Sequence, residues 1–576
     1  MKLNDFEITE YIGADTETNG LDTQRCKAFN IAFVNMLGQH FYIDFRTDPD
    51  GIADAQFILD NCIAVFHNAK FDIKMLENLG IRVPRFEDTM IMAFLINEYH
   101  GSLKLDYLAE KYLKENKLID EKFAQWKKLN KKEIEANGFF SVPSEIIKPY
   151  TIQDSMLALK LFFLFRTGLQ KLQQEEQYRF EKMFLRDIAE IERNGVQIDI
   201  ETGFASLLKM KQEMSALEFD FKTVYQLENP NSWQQVLAII NRTHPGVTST
   251  KKEVLLDLID EELKFASDLF KYRQRKTLCS TFLFPILENV NKATRRVHTN
   301  FNTTRAKTSR LSSSDPINFQ NLPKPGDEEN DIRNSVREII VARPGHYLIG
   351  GDFDQEEMRI IADECNCTQL IELFNSNTED IYVDVAKIIW PHEIINKQLR
   401  FASKQSTLGT SYGMGPNKFV KQAKRYGFDF EVAQAREVIN TIKGRFPEIH
   451  EMLQHLSYKI RSIGWVADRF GKRYNVPQDF AYKAFNAVIQ GTGAQIMKRG
   501  IRELSLDIKA VFGSNPIFRI VNTVHDEILC EVHKKILADD AWRMIQGAME
   551  RISRFFKVRI KMSRKDYDGN WARTIK

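Results

Sequence analysis

Apolar residues come in short runs near the start of the chain and at helical spacing later. Runs at 10–14, 28–35 and 41–45 predict strands, and 71–80 and 88–97 predict helices. Residues 114–145 are polar and Lys-rich, which predicts an insertion or a mobile surface segment. From 169 to about 284 the pattern is mostly helical and heavily charged, with Pro285 as a breaker at its end. Short strand and turn signals return over 296–350, including Arg343-Pro344-Gly345. A second helical block spans about 355–505, and strand-like runs close the chain at 518–532 and 558–561. There is no internal repeat and no low-complexity linker, so closely packed units of an α/β multidomain protein are expected.

Composition narrows this only a little. The 576 residues suggest about three or four units at roughly 150 residues each. Forty-one Phe residues argue for large cores. Lys and Arg exceed Asp and Glu by 81 to 78, a net charge of +3, so bulk charge neither selects nor excludes a nucleic-acid partner. The six Cys, at 26, 62, 279, 365, 367 and 530, form no CxxC pair and read as free thiols. The N-terminus carries Asp5, Glu7 and Glu10 without an apolar stretch, unlike a signal peptide. No uncharged apolar run reaches the ~18 residues of a membrane span. A cytoplasmic protein is expected.

Two sets of carboxylates carry the chemistry. In Ile12-Gly13-Ala14-Asp15-Thr16-Glu17-Thr18, Asp15 and Glu17 lie two apart after an apolar run, so on a strand they share a face. Asp72 closes His67-Asn68-Ala69-Lys70-Phe71-Asp72 at the start of a helical stretch. Tyr150 and Asp154 lie four apart, on one helical face. Four converging acids suit two hard divalent cations, which about 4 Å apart activate water for phosphodiester hydrolysis. Tyr150 would orient that water. Each piece alone is common on a solvated surface.

Further on, Asp352 follows the apolar run Ile349-Gly350-Gly351 and precedes Phe353-Asp354-Gln355-Glu356-Glu357-Met358-Arg359. Arg400, Lys404 and Leu408 recur every fourth residue along one helical stripe, and Tyr412 continues it to Gly413. Val524-His525-Asp526-Glu527-Ile528 has a hairpin-like setting. Asp352 and Asp526 on separate strands suit two Mg²⁺ for nucleotidyl transfer, with Arg400 and Lys404 as counter-charge to a triphosphate. A solvated face is the bland alternative for the basic stripe, and a surface turn for His-Asp-Glu.

In order and spacing, the first set resembles the three motifs of the DEDD exonucleases, the subtype with Tyr in the third motif. The second set resembles motifs A, B and C of family A (bacterial DNA polymerase I-like) polymerases. The likeness extends to Val297-His298-Thr299, to Arg310 through Pro316, to Gln320-Asn321-Leu322-Pro323 and to Gly464-Trp465-Val466. It continues through Phe470-Gly471-Lys472-Arg473, Asn486 through Thr492 and Gly569-Asn570-Trp571, so it covers essentially the whole chain.

The resemblance implies a ribonuclease H-like 3′-5′ exonuclease domain at 1–168 and a right-hand polymerase domain at 169–576. The thumb would be about 170–295, the palm 296–360 and 481–576, and the fingers 361–480. It implies that Asp15, Glu17, Asp72 and Asp154 bind metal, with Tyr150 on the water and Asn68 nearby. Asp352 and Asp526 would bind metal with Glu527 beside them. Arg400, Lys404, Leu408, Tyr412, Gln355, Glu357 and Arg359 would meet the nucleotide, and Arg310, Asn486, Gln490 and His525 the DNA. Two Mg²⁺ per site, replaceable by Mn²⁺, primer–template DNA, dNTPs and a monomeric state are implied as well. The layout suits a phage replicase acting in the host cytoplasm, with a bacterial or organellar source as alternatives.

Leu408 stands where the family usually has Phe or Tyr, Tyr482 where Arg is usual, and Tyr382 where His is common. No 5′-nuclease domain and no thumb-bound processivity partner are expected. The basic run 271–276 reads as a phosphate track or a solvated face. Competing readings are a nuclease whose second half only binds DNA, a single-subunit RNA polymerase, and a structural DNA-binding protein. Intact Asp352, Lys404 and Asp526 speak against the first. Glu357 and the exonuclease motifs speak against the second. Seven carboxylates at metal-site spacings speak against the third.

Overall fold

The structure, a computed structural model, describes residues 3–115, 121–323, 331–376, 380–424, 428–513, 515 and 517–575. Residues 116–120 of the Lys-rich segment therefore lie outside the described residues. Packing divides the chain into two compact units. The first comprises Met1–Arg193, Thr303–Leu311 and Tyr458–Lys498, and the second the remainder.

The first unit is built on strands β1 (Tyr11–Thr18), β2 (Ala28–Asn35), β3 (His40–Asp44), β4 (Ile63–Phe66) and β5 (Phe86–Asp88). Their order is β3-β2-β1-β4-β5. β1, β2 and β3 pair antiparallel, while β1 with β4 and β4 with β5 are parallel. β1 runs past the expected end at 14, because Asp15 and Glu17 pair across to Ala32 and Asn30. The acid pair thus lies within the strand. Helices α1 (Ala69–Glu77), α2 (Thr89–Ile96), α3 (Ser144–Leu172) and α4 (Glu175–Asn194) follow. α3 crosses β1 so closely that a Cβ on Gly13 would stand 2.1 Å from the Ser155 carbonyl oxygen, so only glycine fits there.

Charged groups tie the late stretch Tyr458–Lys498 into this unit. Lys498 Nζ lies 2.8 Å from both oxygens of Glu181, and Gln495 donates to the same carboxylate at 3.1 Å. Glu98 accepts the backbone N–H of Asn475 at 2.6 Å. Lys472 is fully buried with its ammonium 4.9 Å from the centre of the Phe94 ring.

The second unit centres on an antiparallel sheet of β6 (His346–Phe353), β7 (Phe518–Val524), β8 (Glu527–His533), β9 (Met562–Tyr567) and β10 (Thr574–Ile575), in the order β7-β8-β6-β9-β10. β9 corrects the sequence reading, which put the last strand at 558–561. Val558 and Ile560 are buried, as their alternation suggests, but the ladder forms on the polar stretch that follows. A charged strand beside β6 gives no hydrophobic signal. Helices α5 (Glu356–Glu364), α6 (Ile381–Ile389) and α7 (Lys397–Ser411) follow β6. Helix α8 (Ala484–Phe512) is the long helix ahead of β7.

The helical stretch expected to stop near Pro285 continues to Glu288. The chain passes through a π-helical turn at Leu278–Leu283, and Pro285 falls at the start of the last segment, where its missing N–H costs little. Among the described residues no helix is long and apolar enough to cross a membrane, and all six cysteines are free thiols.

Candidate active sites

The first unit gathers its acids on β1, α1 and α3. Asp72, Asp154 and Glu17 are buried and Asp15 is half-buried. Thr16 holds Asp72 from β1, its hydroxyl donating at 2.7 Å and its N–H at 3.3 Å. Burial pushes the Asp72 carboxyl up to about 7, with Thr16 opposing and Asp88 adding to the rise. Tyr150 lies among these acids. Burial raises its hydroxyl well above its ordinary value, and the charges of Asp154, Glu17 and Asp15 raise it further. Its ring packs against Phe123 at 4.8 Å and Phe139 at 6.4 Å, so part of the Lys-rich segment forms a wall of this site.

Sequence reasoning missed the groups that support these acids. Asp88 is buried and caps α2 through the N–H groups of Met90 and Ile91. It also accepts from Ala69 at 2.8 Å and Asn68 at 3.3 Å. It thereby holds the turn that launches α1, in which Asn68 adopts φ 73°. Behind α1, fully buried Glu192 pairs with Lys70 and, at 2.9 Å, with Lys74. An Asp before a helix and a Glu inside one carry no signal of such roles.

The second unit sets Asp352 near the end of β6, where the register places Glu527 of β8 directly opposite. The turn between β7 and β8 carries His525, exposed, and Asp526, half-buried. The Phe353 N–H donates to the Asp526 carbonyl at 3.2 Å, which draws together the strand ends that carry Asp352 and Asp526. Gln320 braces this turn from both sides, donating to the Thr523 carbonyl and accepting from the His525 N–H at 3.1 Å.

Burial raises Asp352, Lys565 opposes it, and Asp526 and Glu527 raise it further. For Glu527, burial acts upward but is outweighed by Lys565, Arg337 and hydrogen bonds from Tyr567 and Trp571, which hold the carboxyl below its usual range.

Four of the residues expected to meet a nucleotide, Gln355, Glu357, Arg400 and Lys404, gather near Tyr382. Gln355, at φ 51°, accepts the Ile381 N–H at 3.3 Å. Asp380 caps α6 and pairs with Arg400 of α7. Lys404 and Arg400 stand 5.5 and 6.0 Å from the Tyr382 ring centre. Burial and then the Glu357 charge raise the Tyr382 hydroxyl. Leu408 is half-buried on α7, and Tyr412 caps that helix.

Arg359 is directed elsewhere. It is buried, donates to the carbonyls of Asp354 and Arg559 at 2.7 Å each, and lies over Phe374. Arg310, Asn486 and Gln490 belong to the first unit and are half-buried. In the basic run, Arg273 donates to Thr250 and Arg275 to Glu213, so both arginines serve internal contacts.

Asn68, Gln355 and His525 share one feature. Each is a non-glycine residue with positive φ at a turn carrying a candidate site residue. Such backbone costs roughly 1–3 kcal/mol and persists only where its surroundings enforce it.

Both donor sets consist of carboxylate oxygens, the chemistry hard divalent cations require. Among the described residues, however, no three His, Cys, Asp or Glu side chains are already gathered around one point. The donors fit a cation in kind.

Residues 2–170 match the family model described as 3′-5′ exonuclease, and residues 197–573 that described as DNA polymerase family A. Similar proteins include the DNA polymerase I of Borreliella burgdorferi, 28% identical over 92% of this chain and 59% of that protein. The DNA polymerase I of Pseudomonas aeruginosa is 26% identical over 93% and 61%. The DNA polymerase DpoZ of Salmonella phage PMBT28 is 27% identical over 90% and 89%. The chain thus spans about three-fifths of these bacterial relatives. The POL domain of Pol1 from M. smegmatis, solved with DNA primer-template and dNTP, shares the fold with TM-score 0.82 at 22% identity, over 99% of this chain and 98% of that one. With the polymerase model matched over 197–573, well over half of its residues, the chain belongs to DNA polymerase family A.

Proposed function

We propose that the protein is a DNA-templated DNA polymerase that extends a primer 3′ end from dNTPs and proofreads with its own 3′-5′ exonuclease. The observation that carries this reading is the register that sets Asp352 beside Glu527 and the Asp526 turn, in a chain matched by the family A model. Asp352 and Asp526 would hold two divalent cations in one site, and Asp15, Glu17, Asp72 and Asp154 two in the other. Mg²⁺ is the natural choice, with Mn²⁺ as a substitute. When bound, such ions activate the attacking oxygen and stabilise the leaving one.

The chain's own residues do the rest. Arg400 and Lys404 offset the triphosphate charge from one stripe of α7. Gln355, Glu357, Leu408 and Tyr412 shape the nucleotide pocket. Arg359 anchors the β6–α5 turn from beneath. Arg310, Asn486, Gln490 and His525 meet primer and template. Tyr150 orients the water of the exonuclease reaction.

In this reading the exonuclease is 1–168, the thumb about 170–295, the palm 296–360 and 481–576, and the fingers 361–480. Packing groups 169–193, 303–311 and 458–498 with the first unit, so the functional and packing divisions cut the chain differently. A monomer working in the cytoplasm, replicating a phage genome, is the setting we infer. Similarity to the phage polymerase over 89% of its length supports that setting.

The test is primer extension on labelled DNA with dNTPs, with and without Mg²⁺. Metal-dependent extension with 3′ trimming in the absence of dNTPs is expected. Trimming without extension would leave a nuclease whose second half only binds DNA.

A further inference from the structure

We propose that Lys565 is a resident counter-ion of the polymerase carboxylates, bridging Asp352 and Glu527 and competing with a divalent cation for them. The inference rests on reading Asp352 as a metal ligand.

The register puts Lys565 there. In an antiparallel sheet, directly opposed residues and residues two apart share a face. Asp352 of β6 faces Glu527 of β8, and Lys565 of β9 is opposite Gly350, two residues before Asp352. Lys565 and Tyr567 therefore share the Asp352 face, and Arg564 and Asp566 take the other, where they pair with each other at 2.7 Å. Gly350 presents no side chain beneath the lysine stem, which crosses to the acids.

The Lys565 ammonium lies 3.1 Å from Asp352 Oδ2 and 3.7 Å from Glu527 Oε2. Glu527 makes a firm abutment. Its Oε1 accepts from the Tyr567 hydroxyl at 2.7 Å and the Trp571 indole at 2.9 Å, and its Oε2 is 3.5 Å from Arg337. Arg337 in turn lies 4.1 Å over the Trp571 ring. Asp352 is the freer partner, with 37% of its side chain exposed against 10% for Glu527. An incoming cation would thus meet an acid that already has a movable positive charge at its open edge. Displacing or tolerating that charge weakens the cation's hold by the same electrostatic interaction.

The test uses the full-length chain carrying Asp15→Ala and Glu17→Ala, so that the other site contributes less to metal uptake. Mn²⁺ binding is followed by electron paramagnetic resonance without DNA. Lys565→Met should tighten the polymerase-site binding by about three- to tenfold at low salt, and less at high salt, as for a partly exposed pair. Lys565→Arg, which keeps the charge, should return it towards the starting value. The metal-free thermal midpoint should fall in Lys565→Met, and its rise on adding Mn²⁺ should grow. If Lys565→Met does not fold, Lys565→Gln carries the same measurements.

Asp352→Asn in the same background separates the two levels. If it removes a binding event while Lys565→Met leaves affinity unchanged or weaker, the counter-ion role is wrong. If it leaves Mn²⁺ binding intact, the reading of Asp352 as a ligand fails, and this inference with it.

Discussion

In the first unit, Glu17, Asp72 and Asp154 are buried and Asp15 is half-buried, and their support lies behind them in Thr16, Asp88 and the Glu192 cluster. In the second, Asp352 keeps 37% of its side chain open, and its nearest cation, Lys565, lies on the same face of the sheet. The acids proposed for the exonuclease all come from the first 154 residues. Asp352 and Asp526 are brought together by neighbouring strands of one sheet. The difference suits the proposed substrates. The proposed trimming site keeps three of its four acids buried, whereas a site that admits a new nucleotide at every step is served by an open acid whose charge is managed meanwhile.

The largest expected effect separates the two regions. Asp352→Asn should lower primer extension by about a thousandfold or more while 3′ trimming persists, and Asp15→Ala with Glu17→Ala should do the reverse. Quantitative gel assays on both variants decide it. A folded variant losing both activities from one substitution would end the picture of two independent sites.

The buried support behind the exonuclease acids gives the next effect. Glu192→Gln leaves Lys70 and Lys74 buried without their carboxylate, which typically costs about 3–5 kcal/mol. Calorimetry should show the first unit melting earlier, and 3′ trimming should fail at a lower temperature than in the unaltered protein. An unchanged midpoint would mean that the lysines find other partners.

Leu408 tests the open site. A Leu has no hydroxyl to stand in for the 3′-hydroxyl that a dideoxynucleotide lacks. The enzyme should therefore disfavour dideoxynucleotides by roughly tenfold to a hundredfold, one hydrogen bond to a charged group at about 1.5–3 kcal/mol. Leu408→Tyr should reduce that bias. Equal ratios of kcat/KM for dideoxy and deoxy substrates in both proteins would place Leu408 away from the sugar.

Glu357 gives the smallest effect. It stands close enough to Tyr382 to raise that hydroxyl, and in the proposed function the pair would form one wall for the 2′ carbon. Glu357→Ala should relax discrimination against ribonucleotides by about tenfold, the scale of one small group in a pocket. Competition assays with ribo- and deoxyribonucleotides that show no change would assign the gate to another residue.

The chain's order of residues alone determined a good deal. Asp15 and Glu17 two apart, Tyr150 and Asp154 four apart, and the four-residue stripe of α7 are local patterns. A strand or helix turns such spacing directly into a shared face, and the structure sets each on the expected element. The terminal strand was misread at 558–561 because apolar alternation marks burial, and at Val558 and Ile560 burial occurs without a ladder.

What joins the local pieces was decided only by tertiary structure. Glu192 faces Lys70 across more than a hundred residues, Gln320 braces His525 across two hundred, and Lys565 reaches Asp352 through strand register. Register depends on which strands pair, and burial on what packs above a residue. Neither is written in the spacing of neighbours along the chain, so a lysine on a polar strand looks like solvent-exposed surface until the sheet places it beside an acid.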